Sequence, residues 1–159
     1  MCMILNDDFI SDLVVFLNEK SMRLLDAVKS EIQDAQKWID DVIHQSKQKS
    51  KIKKDRCEIC NSKEDPNDLE LHHLSGRKHD YRMSTVCKPC HRWLTERQDT
   101  WDARWKKRNQ LKHLRQAFFL FGLQDMLILK SEKTGNSIYK KLAYSYNEKI
   151  NVLLGRWQN

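Results

Sequence analysis

The sequence predicts a mainly α-helical protein in which a small cysteine-containing module lies between long helices. Three observations predict this fold class. The chain of 159 residues has no proline before Pro66 and no glycine before Gly76, and a long stretch without either residue favours helix. Two Cys-x-x-Cys pairs, at 57–60 and 87–90, lie within residues 57–91, which also contain both prolines. KTGN at 133–136 then interrupts a helical C-terminal region.

The region 1–54 is predicted to be one long helix with a basic tail. Its apolar residues recur at steps of three and four, which forms a single stripe on a helix that begins after Asp7 and Asp8. The stripe consists of Ile10, Val14, Leu17, Leu24, Val28, Ala35, Trp38 and Val42. Such a stripe packs against another apolar surface, either the C-terminal helices or a second copy of the chain. In the second case, a homo-oligomer or a larger complex would form through this helix.

Two further regions follow, a module at 55–95 and a helical region at 96–159. A helix is expected to begin at Lys88 and to run toward Arg115, and a second helix spans about 111–130. After the KTGN break, Ser137 is expected to cap a last helix.

Charge is unevenly distributed along the chain. Residues 1–45 carry nine acidic and four basic side chains, whereas 46–56 carry six basic and one acidic, and 77–115 carry twelve basic and four acidic. Positive charge thus flanks the module on both sides. This pattern favours a polyanionic partner such as nucleic acid, most simply DNA; the alternative is an ordinary solvated helix face.

Neither a secretory signal nor a membrane span is expected. The N-terminus has no basic region and no small-residue cleavage site. The longest apolar stretch, AFFLFGLQDMLIL at 117–129, is too short to cross a bilayer and contains Asp125. We therefore expect no membrane partner and a reducing, intracellular location, either cytoplasmic or nucleoid-associated.

The two cysteine pairs have the spacing of a structural zinc site, because each Cys-x-x-Cys turn supplies two adjacent corners of a tetrahedron. The predicted zinc ligands are Cys57, Cys60, Cys87 and Cys90. Covalent haem attachment through CKPCH would require export and would leave CEIC unexplained. A redox Cys-x-x-Cys requires a βαβ context, which the sequence lacks. Cys2 is isolated and is expected to be an ordinary thiol.

Two adjacent histidines end an alternating apolar run between the cysteine pairs. LELHHL at 69–74 is predicted to be a strand, which places His72 and His73 on opposite faces. STV at 84–86 is the expected returning strand, and the helix that follows carries His91 in its first turn.

In this ββα order, CEIC, LELHHL and VCKPCH resemble the HNH endonuclease family over residues 57–93, about a quarter of the chain. The resemblance implies a metal-dependent nuclease that hydrolyses DNA phosphodiesters. It implies that His72 and His91 bind a catalytic Mg²⁺ or Mn²⁺, and that His73 is the general base that deprotonates the attacking water. The fold class that follows is mainly α, with a zinc-bound ββα module between long helices.

The chain departs from the family pattern at one point. HNH proteins usually carry an asparagine between the paired residues and the last histidine, and no asparagine lies between His73 and Cys87. His79 or Asp80 in GRKHD is the expected substitute for orienting the base. The alternative functions are a non-catalytic zinc protein that binds nucleic acid and a helical assembly subunit with an inactive HNH module.

Basic side chains near the histidines are the expected contacts to nucleic acid, because phosphate groups attract lysine and arginine. They are Arg77, Lys78, Arg82, Lys106, Lys107 and Arg108. Trp101 and Trp105 could stack on bases, but the sequence favours a core role for both, in which they pack against the N-terminal stripe.

Overall fold

The computed structural model describes residues 7–47, 53–63, 65, 67–79, 81–107 and 111–155. The protein is mainly helical and carries a small two-stranded antiparallel sheet. The elements are α1 (Asp7–Lys47), β1 (Leu69–His73), β2 (Met83–Cys87), α2 (Lys88–Asp99), a 3₁₀ helix (Ala103–Lys106), α3 (Lys112–Thr134), α4 (Ser137–Ser145) and α5 (Asn147–Leu153). Within these residues, no helix combines the length and the apolar character that a bilayer crossing requires.

The chain divides into two compact units, Met1–Trp38 and Ile39–Asn159. The described side chains from 15 to 34, in the first unit, are all exposed. Large apolar residues are among them, namely Val15, Phe16, Leu17, Met22, Leu24, Leu25, Val28 and Ile32. The predicted long helix is confirmed, but this part of its apolar stripe faces solvent. For Ile10 and Val14, the structure describes the helical backbone but not the side chains.

The core of the second unit forms around α3, which packs against α2, α4 and α5. Its buried cluster consists of Trp101, Leu114, Ala117, Phe118, Ile150 and Leu154. The Trp101 ring lies parallel to that of Phe118, and its indole N–H donates to Asp125 Oδ2 at 2.8 Å. Trp101 is thus a core residue, as predicted, and it packs on α3.

The two predicted strands are confirmed. β1 and β2 pair in antiparallel register from Leu69 opposite Cys87 to His73 opposite Met83. α2 begins directly after β2, and Pro89 lies in its first turn, where a missing N–H costs nothing. Because α2 follows β2 without a loop, it packs back across the sheet and places its side chains beside β1.

The helix that begins at Lys88 is shorter than predicted, since it ends at Asp99 instead of continuing toward Arg115. The amide and hydroxyl of Thr100 both donate to Arg97 O, at 3.0 and 2.7 Å. Asp102 then accepts from Arg104 N and starts the 3₁₀ helix. Threonine and aspartate side chains compete with helical hydrogen bonds in this way, and the turn brings Trp101 onto α3.

The C-terminal helical region is also broken more often than predicted. Gly135 ends α3 with a φ of 72°, which confirms the break at KTGN. Asn136, and not Ser137, caps the next helix, because its side chain accepts from Ile138 N at 2.9 Å. The predicted last helix is divided at Tyr146 into α4 and α5.

A glycine in the middle of α3 sets the distance between this helix and the histidine strand. A Cβ at Gly122 would lie 2.0 Å from the carbonyl oxygen of Leu74, the residue that follows β1. Glycine inside a helix is less favourable than alanine by about 1 kcal/mol. Here it allows direct backbone contact between α3 and the end of β1.

Candidate metal centre and histidine pocket

The four predicted cysteine ligands meet at one point. Cys57 and Cys60 lie on a turn in which Asn61 N donates to Cys57 O at 2.9 Å, whereas Cys87 ends β2 and Cys90 lies in the first turn of α2. Their sulfur atoms all lie within 4.8 Å of one another. Four cysteines this close can hold a metal ion, which is consistent with structural zinc.

The electrostatics of the cluster also fit a cation. Hydrogen bonding from Cys90 lowers the pKa of Cys57 to about 4, although burial opposes this shift. The same hydrogen bond raises the pKa of Cys90 above its ordinary value, and burial raises that of Cys87. One thiolate thus suppresses the ionisation of its neighbours. A divalent cation would reverse this effect, because all four sulfurs bind metal as thiolates.

A buried lysine, which was not among the residues predicted from the sequence, supports the turn that carries the first cysteine pair. Lys130 of α3 donates from Nζ to Glu58 O at 3.1 Å and to Ile59 O at 3.3 Å. Burial lowers the pKa of this lysine, and the neighbouring Cys57 and Glu58 oppose that shift. Lys130 lies 71 residues after Ile59, so no local sequence pattern indicates that the two residues are in contact.

The three predicted site histidines line one cavity of about 520 Å³. His72 and His73 reach it from the end of β1, and His91 reaches it from α2. The rings of His72 and His91 lie 5.1 Å apart, edge to face. In the part of the chain that the structure describes, these histidines do not join a group of three or more ligands as tight as the cysteine cluster.

His91 is oriented by a carboxylate. Its Nδ1 lies 3.0 Å from Glu70 Oε2, so an N–H at Nδ1 leaves the Nε2 lone pair for a metal ion. Metal-binding histidines commonly have such a carboxylate partner. Glu70 was not among the predicted site residues, although it lies two residues before His72 and therefore on the same face of the strand.

His72 is held by an amide. Gln98 Nε2 lies 3.1 Å from His72 Nε2, and it also donates to His73 O at 2.8 Å and to Leu74 O at 3.3 Å. His72 is only 3% exposed, and burial lowers its pKa to about 3, with smaller contributions from His91 and His73. Gln98 was also missed, although it follows His91 by seven residues, two helical turns.

The GRKHD loop is tied into the core through His79. Its Nε2 lies 2.6 Å from Trp105 O, and its ring lies 4.9 Å from that of Phe118. His79 Nδ1 is buried and has no hydrogen-bond partner among the described residues. His79 also lines the histidine cavity. Asp80, the other predicted substitute for the missing asparagine, lies outside the described residues.

Four of the six predicted nucleic-acid contacts line two cavities, and His79 lines both. Arg77, Lys78 and Lys106 line the histidine cavity. Arg82 stacks on Phe119 and lines a second cavity of about 240 Å³. Lys112 and Arg115, which were not among the predicted contacts, also line this second cavity. Lys107 is exposed, and Arg108 lies outside the described residues.

No family model, no curated protein and no solved structure matches the chain.

Proposed function

We propose that this chain is an HNH-type, metal-dependent nuclease that hydrolyses DNA phosphodiesters. Its cysteine cluster would hold a structural zinc ion, and its histidine pocket would work with Mg²⁺ or Mn²⁺. One observation carries the proposal: His72, His73 and His91 converge on one cavity whose rim is basic. The order of two strands and a helix around the cysteines agrees with the motif resemblance.

The residues of the pocket suit phosphodiester hydrolysis by a division of roles. A divalent ion would stabilise negative charge on the phosphate and on the leaving oxygen. His91, oriented by Glu70, offers Nε2 as a ligand for that ion. His73 lines the same cavity and accepts the proton of the attacking water. The water oxygen forms a new bond to phosphorus, one P–O ester bond breaks, and the leaving oxygen takes a proton from solvent.

DNA would lie along the two basic cavities. Arg77, Lys78 and Lys106 surround the histidines, and Arg82, Lys112 and Arg115 continue the positive surface beyond His79. In the described part of the chain, no carboxylate forms an ion pair with Lys112 or Arg115. Cations without acidic partners attract the phosphate backbone regardless of base sequence.

A second candidate function is non-catalytic binding of nucleic acid, and the contact between Gln98 and His72 favours it. That contact gives His72 a structural role that requires no catalytic ion. The exposed apolar residues of α1 support the further idea that the chain assembles with a second copy or with a larger complex.

A plasmid-nicking assay separates the candidates. The zinc-loaded wild type should nick DNA with Mg²⁺ or Mn²⁺, and His73→Ala should lower the rate by about 10²–10⁴ while zinc content and DNA affinity stay unchanged. His113→Ala is the matched control, because His113 is exposed at the start of α3. DNA binding without cleavage under any common divalent ion would reject the nuclease and support the second candidate.

A further inference from the structure

Gln98 presents two amide hydrogens to three acceptors. The acceptors are His73 O at 2.8 Å, His72 Nε2 at 3.1 Å and Leu74 O at 3.3 Å. The first and third are backbone carbonyl oxygens, which only accept, so the atom of Gln98 that faces them is its nitrogen. Gln98 and His72 are both buried, so solvent does not compete for these contacts.

The protonation of His72 follows from this geometry. An amide NH₂ group has no lone pair available to accept a hydrogen bond. A hydrogen on His72 Nε2 would therefore point at the hydrogens of Gln98 across 3.1 Å. The contact is favourable only when Nε2 carries a lone pair, which in a neutral imidazole leaves the proton on Nδ1.

We propose that Gln98 is a positioning residue that fixes His72 as the Nδ1–H tautomer and thereby removes His72 from the metal site. The Nε2 lone pair of His72 accepts the hydrogen bond from Gln98, so it does not bind an ion. Binding of an ion at Nδ1 would move the proton to Nε2, where it would face the amide hydrogens of Gln98. His91 has the opposite arrangement, because Glu70 holds its Nδ1. Of the two histidines that the HNH resemblance implies as ligands, only His91 is then able to bind the divalent ion.

The ligand assignment rests on the proposed function, whereas the tautomer of His72 does not. A site with a single imidazole ligand would bind Mg²⁺ or Mn²⁺ weakly in the free protein. Phosphate oxygens of the substrate would complete the coordination, as is common for these ions. Ion and DNA are therefore expected to increase each other's affinity.

The decisive experiment is long-range ¹H–¹⁵N NMR of the histidine rings in the zinc-loaded full chain. His72→Gln and His91→Gln variants assign the signals, and one zinc per chain shows that each variant is folded. His72 should show a single tautomer, protonated at Nδ1. Gln98→Glu should protonate Nε2, since a carboxylate accepts where the amide donated. A wild-type His72 that is protonated at Nε2, or that averages both tautomers, would overturn the proposal whether or not Gln98→Glu folds.

A Mn²⁺ titration followed by electron paramagnetic resonance tests the ligand set. His91→Gln should weaken binding by at least about tenfold, whereas His72→Gln should leave the dissociation constant unchanged. Equal weakening in both variants would overturn the assignment. If the wild type binds no Mn²⁺ with or without DNA, the proposed function fails, and the NMR result still decides the role of His72.

Discussion

The cysteine cluster and the histidine pocket both include a residue of α2, Cys90 and His91 respectively, but they differ in how complete they are. The cysteine site has four sulfur atoms within 4.8 Å of one another, and three of the four residues are buried. The histidine site opens into a cavity, and two of its rings are each held by a neighbouring side chain. Structural metal sites are closed and catalytic sites keep an open position, so the two sites are suited to different tasks.

The largest expected effect tests whether the cysteine site sustains the fold. Cys87→Ser should lose the metal and with it folding free energy on the order of 10 kcal/mol, which is comparable to the whole stability of a domain. Zinc analysis and thermal unfolding, followed by tryptophan fluorescence, measure this. Cys2→Ser is the matched control and should retain one zinc per chain. A Cys87→Ser protein with unchanged zinc and melting would contradict the prediction.

A fall in pH should release zinc from the cysteine cluster. Because thiolates bind the metal, protons compete with zinc, and zinc affinity falls as the pH falls. Without metal the pKa of Cys57 is lowered whereas those of Cys87 and Cys90 are raised, so the expected sign rests on the competition between protons and zinc for the sulfurs.

The next effect concerns the basic rim of the histidine pocket. About six phosphate contacts give a log–log slope of DNA affinity against salt near −5, which means a loss of roughly 10³ between 50 and 200 mM salt. Lys106→Ala should reduce the slope by about one. Lys20→Ala, an exposed change in α1, should leave it unaltered. Fluorescence anisotropy of labelled duplex DNA measures the slope, and a value near zero would remove DNA as the partner.

A smaller effect tests whether the histidine pocket is independent of the cysteine cluster. Glu70→Gln removes the carboxylate that orients His91 and should weaken Mn²⁺ binding by about 10–100-fold. The zinc content and the melting temperature should not change, because Glu70 lies outside the cysteine cluster. Glu132→Gln, an exposed change on α3, serves as the control. Loss of zinc in Glu70→Gln would mean that the two sites are not independent.

The smallest effect concerns the lysine beside the metal turn. Lys130→Met removes two hydrogen bonds to backbone carbonyls and should lower the free energy of unfolding by about 1 kcal/mol. It should also speed the transfer of zinc to a chelator. Lys133→Met, on the exposed side of the same helix, should do neither. Urea unfolding and a colorimetric zinc assay measure these outcomes.

The features that sequence predicts well here are local. The Cys-x-x-Cys turns, the strand at 69–73 and the start of α2 depend on neighbouring residues, and the structure contains each of them. The predicted end of α2 was wrong, because the position where this helix ends depends on a tertiary contact. That contact is the packing of Trp101 on α3. The roles of Glu70 and Gln98 depend on the packing of α2 against β1, which spacing within either element does not reveal.

The close contact at Gly122 carries a lesson for recognising related chains. A search pattern made of the cysteine pairs and histidines ends at His91, 31 positions before this glycine. Yet the carbonyl oxygen that a side chain at 122 would strike, that of Leu74, also accepts from the amide that holds His72. A sequence pattern that identifies this pocket must therefore include Gly122, a residue without a side chain. A chain that matches every cysteine and histidine but carries alanine at this point is expected to separate helix from strand and to build a differently shaped pocket.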